Sequence, residues 1–227
     1  MAAESRRATV RRLTQQTLRQ DSTAAALDRL LAAVYQQAAA AVEQVPARAP
    51  LACASGCAFC CYHPVDMTPP EAFAISQYLQ ASLPADTRAA LSRRIATQAD
   101  RLRGLSYEAH AQARLPCALL VDGQCSVYPC RPFACRAWNS TSAVVCETIF
   151  RHGSPVTHLP ALDMPTYEAV WQVGYGVTDG LQREGRDGTA YELHSLLQCV
   201  LTTPEALQRW AQGEAVFAGC TVGAFAG

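Results

Sequence analysis

Lysine is absent from this chain: all nineteen basic residues are arginine, and nineteen Asp and Glu cancel them to a formal net charge of zero. A dedicated nucleic-acid binder carries a basic excess that displaces counterions from phosphates, so neutrality argues against that class. Charge of either sign is scarce, at 17% of residues, while half of the chain is apolar. Even so, no apolar run approaches the roughly eighteen residues needed to cross a bilayer, the Ala-rich stretch Ala38–Val42 being far too short. Arg6 and Arg7 are not followed by the apolar segment of a secretory signal. A phosphate loop, a nucleophile elbow, a dinucleotide fingerprint and a paired-carboxylate site are all missing. So are internal repeats and the alternation of a βαβ fold.

Cysteine is where the sequence is rich. Four thiols fall within the nine residues Cys53-Ala-Ser-Gly-Cys57-Ala-Phe-Cys60-Cys61, and Cys117, Cys125, Cys130, Cys135 and Cys146 answer them downstream. Of the eleven cysteines, only Cys199 and Cys220 stand apart from these two clusters. Secreted disulfide frameworks are usually short, with an even cysteine count behind a signal peptide, and this chain has none of those marks. Cys60 and Cys61 are adjacent, with side chains expected to leave the backbone in different directions, so a bridge between them would be strained. The expectation is a cytoplasmic metal site.

The order of elements predicts a mostly α protein, a helical bundle in which two cysteine-rich loops converge on a metal or iron–sulfur site. Residues 1–48 read as an N-terminal helical arm of one helix or two, 49–213 as a cysteine-cluster helical domain, and 214–227 as a flexible tail. In the arm, Leu27, Leu30, Leu31, Val34 and Ala38 form one apolar stripe at helical spacing, with Asp21 as the expected N-cap. Arg6, Arg7, Arg11, Arg12 and Arg19 read as a solvated helix face rather than as a site for an acidic partner. Thr68-Pro69-Pro70-Glu71 is a helix start in which Thr caps, Pro fits the first turn and Glu reaches back. Thr202-Thr203-Pro204-Glu205 follows the same logic. Ala89 through Gln112 reads as a single helix, residues 119–121 and 126–128 as strands of a small hairpin, and Asn139, Ser140 and Thr141 as the cap of a helix leading to Cys146. Tyr167, Val170, Trp171, Gly174, Val177 and Leu181 form one later stripe, and Leu193, Leu196, Leu197, Val200 and Leu201 the next.

A soft metal ion or an iron–sulfur cluster requires several thiolates turned toward one point by short loops. Cys57-x-x-Cys60 meets that need. A two-residue gap folds into a turn presenting both sulfurs to one ion, and Gly56 supplies backbone freedom before it. Cys53 and Cys61 add ligands on either side. Cys117, Cys125 and Cys135 supply the second loop, and Cys146 follows it. Because the clusters lie more than fifty residues apart, shared ligation would clip two loops across intervening helices. The bland alternative treats individual cysteines as small buried hydrophobes. That reading is preferred for Cys199, inside an apolar stripe, and stays open for Cys130, while Cys220 carries no signal. His63 reads as a surface or hydrogen-bonded residue more than as a nitrogen ligand. Arg131 and Arg136 either balance thiolate charge or form ordinary surface ion pairs.

Three segments together resemble a known family. They are Gly56-Cys57-Ala-Phe-Cys60-Cys61, Val65-Asp-Met-Thr68-Pro-Pro-Glu71-Ala, and Gly123-Gln-Cys125-Ser-Val-Tyr128-Pro-Cys-Arg131-Pro132-Phe-Ala-Cys135-Arg136. Over about residues 53–147 the chain is similar to the YkgJ-type cysteine-cluster family, described as a zinc- or iron-chelating domain of bacteria. The resemblance implies ligands at Cys57, Cys60, Cys61, Cys117, Cys125 and Cys135, with Cys53 and Cys146 as additions. Two departures stand out: Pro116 precedes Cys117 and Ala118 follows it, where the family reads Cys-Pro-Phe-Leu, and Cys130 is extra. What it implies is chelation of an iron–sulfur cluster or zinc, without a reaction. A more distant similarity to flagellin lysine methylase keeps open a metal-cluster-dependent enzyme that modifies a protein or small molecule. A zinc-dependent interaction module is the third reading. The expected partner is a metal ion or cluster, with no membrane, no nucleic acid, and a protein partner left open.

Overall fold

Two glycines decide how the first helix joins the rest. The computed structural model describes residues 2–46, 50–152 and 162–223, and within it α1 (Ala2–Gln20) lies along α8 (Met164–Arg183). At Gly176 an added Cβ would sit 2.7 Å from the Arg7 carbonyl oxygen, and at Gly180 2.5 Å from the Thr14 Cβ. Only glycine lets the two backbones come this close. Arg7 then grips Asp179 through two hydrogen bonds of 2.6 and 2.8 Å, and Arg19 reaches Glu184 at 2.7 Å. The arginine face expected to be solvated thus contributes two ions to the α1–α8 seam. The Asp179 carboxyl is held below its ordinary pKa mainly by that Arg7 hydrogen bond.

Helix α2 (Ala24–Glu43) buries all five residues of its predicted stripe. Each of its Leu and Val side chains contributes about 1.5–3 kcal/mol on leaving water, and Ala38 less. Its cap is Thr23, whose hydroxyl accepts the Ala26 N–H at 3.3 Å, and not Asp21. Asp21 instead accepts both the Thr23 N–H and its hydroxyl at 2.9 Å, two residues too early to cap the helix itself.

Beyond the first cysteine loop come β1 (Asp66–Met67), α3 (Pro69–Ser82), α4 (Ala85–Leu102) and α5 (Tyr107–Ala113). The single helix expected over 89–112 is interrupted because Gly104 turns to positive φ and Ser106 caps a new helix through the Ala109 N–H. In the second cysteine loop, β2 (Leu120–Val121) pairs with β3 (Gln124–Cys125) in the register Leu120↔Cys125. Asp122 and Gly123, both at positive φ, form the two-residue hairpin turn. The return strand therefore starts two residues earlier than expected.

Short helices α6 (Phe133–Ala137) and α7 (Ala143–His152) follow. Ser142, just after the expected cap residues, accepts the Val145 N–H at the start of α7. After α8, β4 (Tyr191–Glu192) pairs antiparallel with β1 and leads directly into α9 (Leu193–Thr202), with α10 (Ala206–Ala211) closing the helical order. The protein is mostly helical, and one hydrophobic cluster draws on Val10 and Leu18 of α1, Leu27 and Val34 of α2, Ile75 of α3, Val173 of α8 and Leu196 of α9. The helices assigned above to an arm share that core. Their boundary at residue 48 lies outside the described residues.

The segment expected to be a flexible tail packs as far as it is described. Phe217 is fully buried against Phe73 and Tyr191, Thr221 accepts the Glu192 N–H, and Gly223 donates to Ala190. A disulfide joins Cys220 to Cys199, so Cys199 is a bonded cysteine rather than a free one in an apolar stripe. Residues 224–227 lie outside the described residues. Among the described residues no helix is long and apolar enough to cross a membrane.

Candidate metal centre

The first cysteine loop owes its shape to turns. Gly56 sits at φ 85°, the Cys57 N–H donates to the Ala54 carbonyl at 3.0 Å, and a 3-10 turn spans Phe59–Tyr62. Successive side chains in such a turn leave its axis about 120° apart, and Cys61 lies in electrostatic range of the Cys60 thiol.

The second loop meets the first through the backbone. The Cys117 N–H donates to the Cys61 carbonyl at 2.8 Å, although 56 residues separate them (117 minus 61). The thiols follow. Cys135 is held well above its ordinary pKa, first by burial and then by the Cys117, Cys60 and Cys125 sulfurs, with Arg131 opposing. Cys125 is raised by burial and by Cys117 and Cys60, and Cys60 by the neighbouring Cys61 thiol and by burial. Cys130 is pushed up to about 12, chiefly by burial and then by Cys125. Cys60, Cys61, Cys117, Cys125 and Cys135 therefore form an inner group, with Cys130 at its edge.

Cys53, Cys57 and Cys146 form an outer group, and Cys53 and Cys57 are exposed. The Cys53 sulfur accepts the Ser140 N–H at 3.4 Å, while the Ala52 N–H donates to the Ser140 carbonyl at 2.8 Å. The Cys146 thiol is raised by burial and then by Cys53, Cys57 and Cys60, with Ser140 opposing. Phe150 of α7 packs on Phe59 at 5.7 Å and on Tyr62 at 4.7 Å between ring centroids, which ties the helix carrying Cys146 to the first loop. Cys60 is the member in electrostatic range of both groups.

Side chains that are not thiols fix the inner group. Glu71, 3% exposed, closes the expected capping box by accepting the Thr68 N–H and hydroxyl at 2.8 Å. Its other oxygen accepts the Phe133 N–H at 2.7 Å, so the helix-start motif also anchors the helix that carries Cys135. Arg136 donates to the Pro129 and Arg131 carbonyls and stacks on Tyr35 at 3.9 Å from the ring centroid. Arg131 stacks on Tyr128 and lies in electrostatic range of Cys60, Cys125 and Cys135. His63 stacks on Trp138 at 5.4 Å, and burial lowers its pKa.

Sequence reading missed a buried carboxylate–imidazole pair. Glu192 Oε1 lies 2.7 Å from His194 Nδ1, and Glu192 Oε2 accepts the Ser195 N–H at 2.8 Å. His194 Nε2 accepts the Ala118 N–H at 3.1 Å, which assigns the ring proton to Nδ1, and Cys117 lies in electrostatic range of the ring. The pairing of β1 with β4 delivers this pair to the second loop. A Glu-x-His triplet inside an apolar pattern carries no signal by itself. Only two-residue strands joining distant segments give it meaning.

Among the described residues, no group of three or more His, Cys, Asp or Glu side chains is already set to hold a metal ion. The donor chemistry is nonetheless that of zinc or an iron–sulfur cluster: thiols in two neighbouring groups, with a carboxylate-oriented histidine beside one of them. No family model, curated protein or solved structure matches the chain.

Proposed function

We propose that this protein binds an iron–sulfur cluster or zinc through Cys60, Cys61, Cys117, Cys125 and Cys135, with Cys53, Cys57 and Cys146 serving as an outer thiol group. The observation that carries the proposal is the 2.8 Å bond from the Cys117 N–H to the Cys61 carbonyl, because it puts two distant cysteine loops side by side. Thiols that raise one another's pKa are poor neighbours as bare thiolates, and a cation reverses that relation. Cysteine needs only one side-chain rotation to turn its sulfur, so backbone proximity is the demanding part of the arrangement. When bound, the metal or cluster supplies a soft cationic centre that ties the loops together. His194, held by Glu192, fixes the peptide after Cys117 through the Ala118 N–H, and Glu71 holds the start of the helix bearing Cys135.

Eight thiols exceed what one tetrahedral ion uses, which favours two metal ions or one cluster with spare donors. Metal analysis with visible spectroscopy on protein prepared without oxygen tests the proposal. Brown protein containing iron and sulfide supports the cluster, and colourless protein with stoichiometric zinc supports the ion. Protein that takes up neither refutes both.

A further inference from the structure

Tyr35 of α2 ends in a polar group that the fold leaves unpaired. The side chain is 8% exposed, and among the described residues its buried hydroxyl has no hydrogen-bond partner. Its ring packs on two residues of α6, edge-on against Phe133 at 5.1 Å between centroids and against the Arg136 guanidinium at 3.9 Å. A phenolic oxygen lies in the plane of its ring, so this packing also fixes where the hydroxyl sits. Glu71 is near, but one of its oxygens takes the Thr68 N–H and hydroxyl and the other takes the Phe133 N–H. Burial holds the Tyr35 pKa well above its ordinary value, so the hydroxyl keeps its proton and remains a donor.

Arg131 supplies the second observation. Its Nε is buried and also lacks a partner among the described residues, while the guanidinium stacks on Tyr128. A guanidinium N–H can only donate. Cys135 lies in electrostatic range of both groups. It stands in α6 between Phe133 and Arg136, the two residues on which Tyr35 packs, and four residues beyond Arg131. Two buried donors thus sit near one thiol. A neutral thiol is a weak acceptor, whereas a thiolate makes strong, charge-assisted hydrogen bonds. The donors find their match only once that sulfur has lost its proton, as a metal ligand must.

We infer that Tyr35 and Arg131 donate hydrogen bonds to the Cys135 thiolate when the centre is loaded. The inference rests on the chelation proposal and adds two positioning residues to it, one of them on a helix without cysteine. The Tyr35 hydroxyl needs no access to solvent for this role, because its acceptor is a sulfur of the protein itself. Hydrogen bonds of this kind spread the charge of a thiolate and ease its repulsion by neighbouring ligands.

Cobalt(II) titration of the metal-free full chain, reduced and kept without oxygen, tests the inference with Tyr35→Phe and Arg131→Lys. The first variant deletes only the hydroxyl, and the second keeps the charge while removing the Nε donor. Loss of one charge-assisted bond weakens binding about tenfold or more, so each variant should raise the Kd for cobalt by that factor. Tyr35→Phe should also move the sulfur-to-cobalt charge-transfer band to lower energy, because a thiolate that loses a hydrogen bond gives up its electron more readily. Without metal the same variant should melt no lower than wild type, since it removes an unpaired polar group. Cobalt affinity unchanged in either variant, while wild type binds, overturns this inference alone. So does weaker binding in Tyr35→Phe with the band unmoved and a lower metal-free Tm, the pattern of a purely structural role. Wild-type protein that takes up no cobalt overturns the chelation proposal as well.

Discussion

The inner thiols, from Cys60 to Cys135, and the outer thiols, Cys53, Cys57 and Cys146, differ less in chemistry than in what holds them. Around the inner group the backbone is fixed by the buried Glu71 on the Phe133 N–H, the buried His194 on the Ala118 N–H, and the half-buried Arg136 on two loop carbonyls. The outer group relies on Ser140 and on aromatic packing around Phe150, and two of its three thiols are exposed. A candidate ligand set is thus organised by residues that are not ligands. An unsatisfied buried acceptor or donor costs more than a lost surface contact, so those holders should be sensitive to mutation although they are not ligands.

This contrast can be broken in several ways. The largest effect is expected for Cys60→Ser and Cys125→Ser, each of which should lower metal content and thermal stability together, because metal binding and folding are coupled. Stability falling with metal content unchanged would remove these residues from the ligand set. Next comes Glu71→Gln. Gln keeps an acceptor but sets a donor where the buried carboxylate takes the Thr68 and Phe133 N–H groups, at a cost of about 2 kcal/mol and a Tm drop of roughly 6 °C. A shift no larger than that of a surface substitution would show that the anchor is dispensable. Cys146→Ser should lower metal content less than Cys60→Ser does. Equal losses would merge the two groups into one centre. The smallest effect on metal is expected for Cys199→Ser, which should leave metal content unchanged. It opens a disulfide spanning 21 residues, costing about 3 kcal/mol of stability.

How far sequence reading reached is clearest where the same pattern occurs twice. At 68–71 Thr, Pro and Glu make a capping box as expected, because Glu71 stands three residues after Thr68 and both its partners are free to meet. At 202–205 the spacing is identical, but the Thr202 hydroxyl already donates to the Gln198 carbonyl of the preceding helix. Glu205 turns instead to positive φ, and Thr203 ends α9 rather than beginning α10. Local chemistry decides such a motif only when no earlier element has claimed its side chains. The apolar stripe of α2 was legible because helical periodicity is a local property. The cysteine clusters were legible as donor sets for the same reason. The Glu192–His194 pair and the second bond of Glu71 were not, since both depend on contacts between segments more than sixty residues apart. Phe217 was hidden by its Gly- and Ala-rich surroundings, which lack any period although one aromatic ring fills a core site.

Chelation by the two loops is tested most directly by quantifying iron, acid-labile sulfide and zinc in protein expressed in metal-replete medium and purified without oxygen. The account predicts stoichiometric metal that is lost in Cys60→Ser and retained in Cys199→Ser. Metal-free wild-type protein that is folded and equally stable with or without a chelator would contradict it.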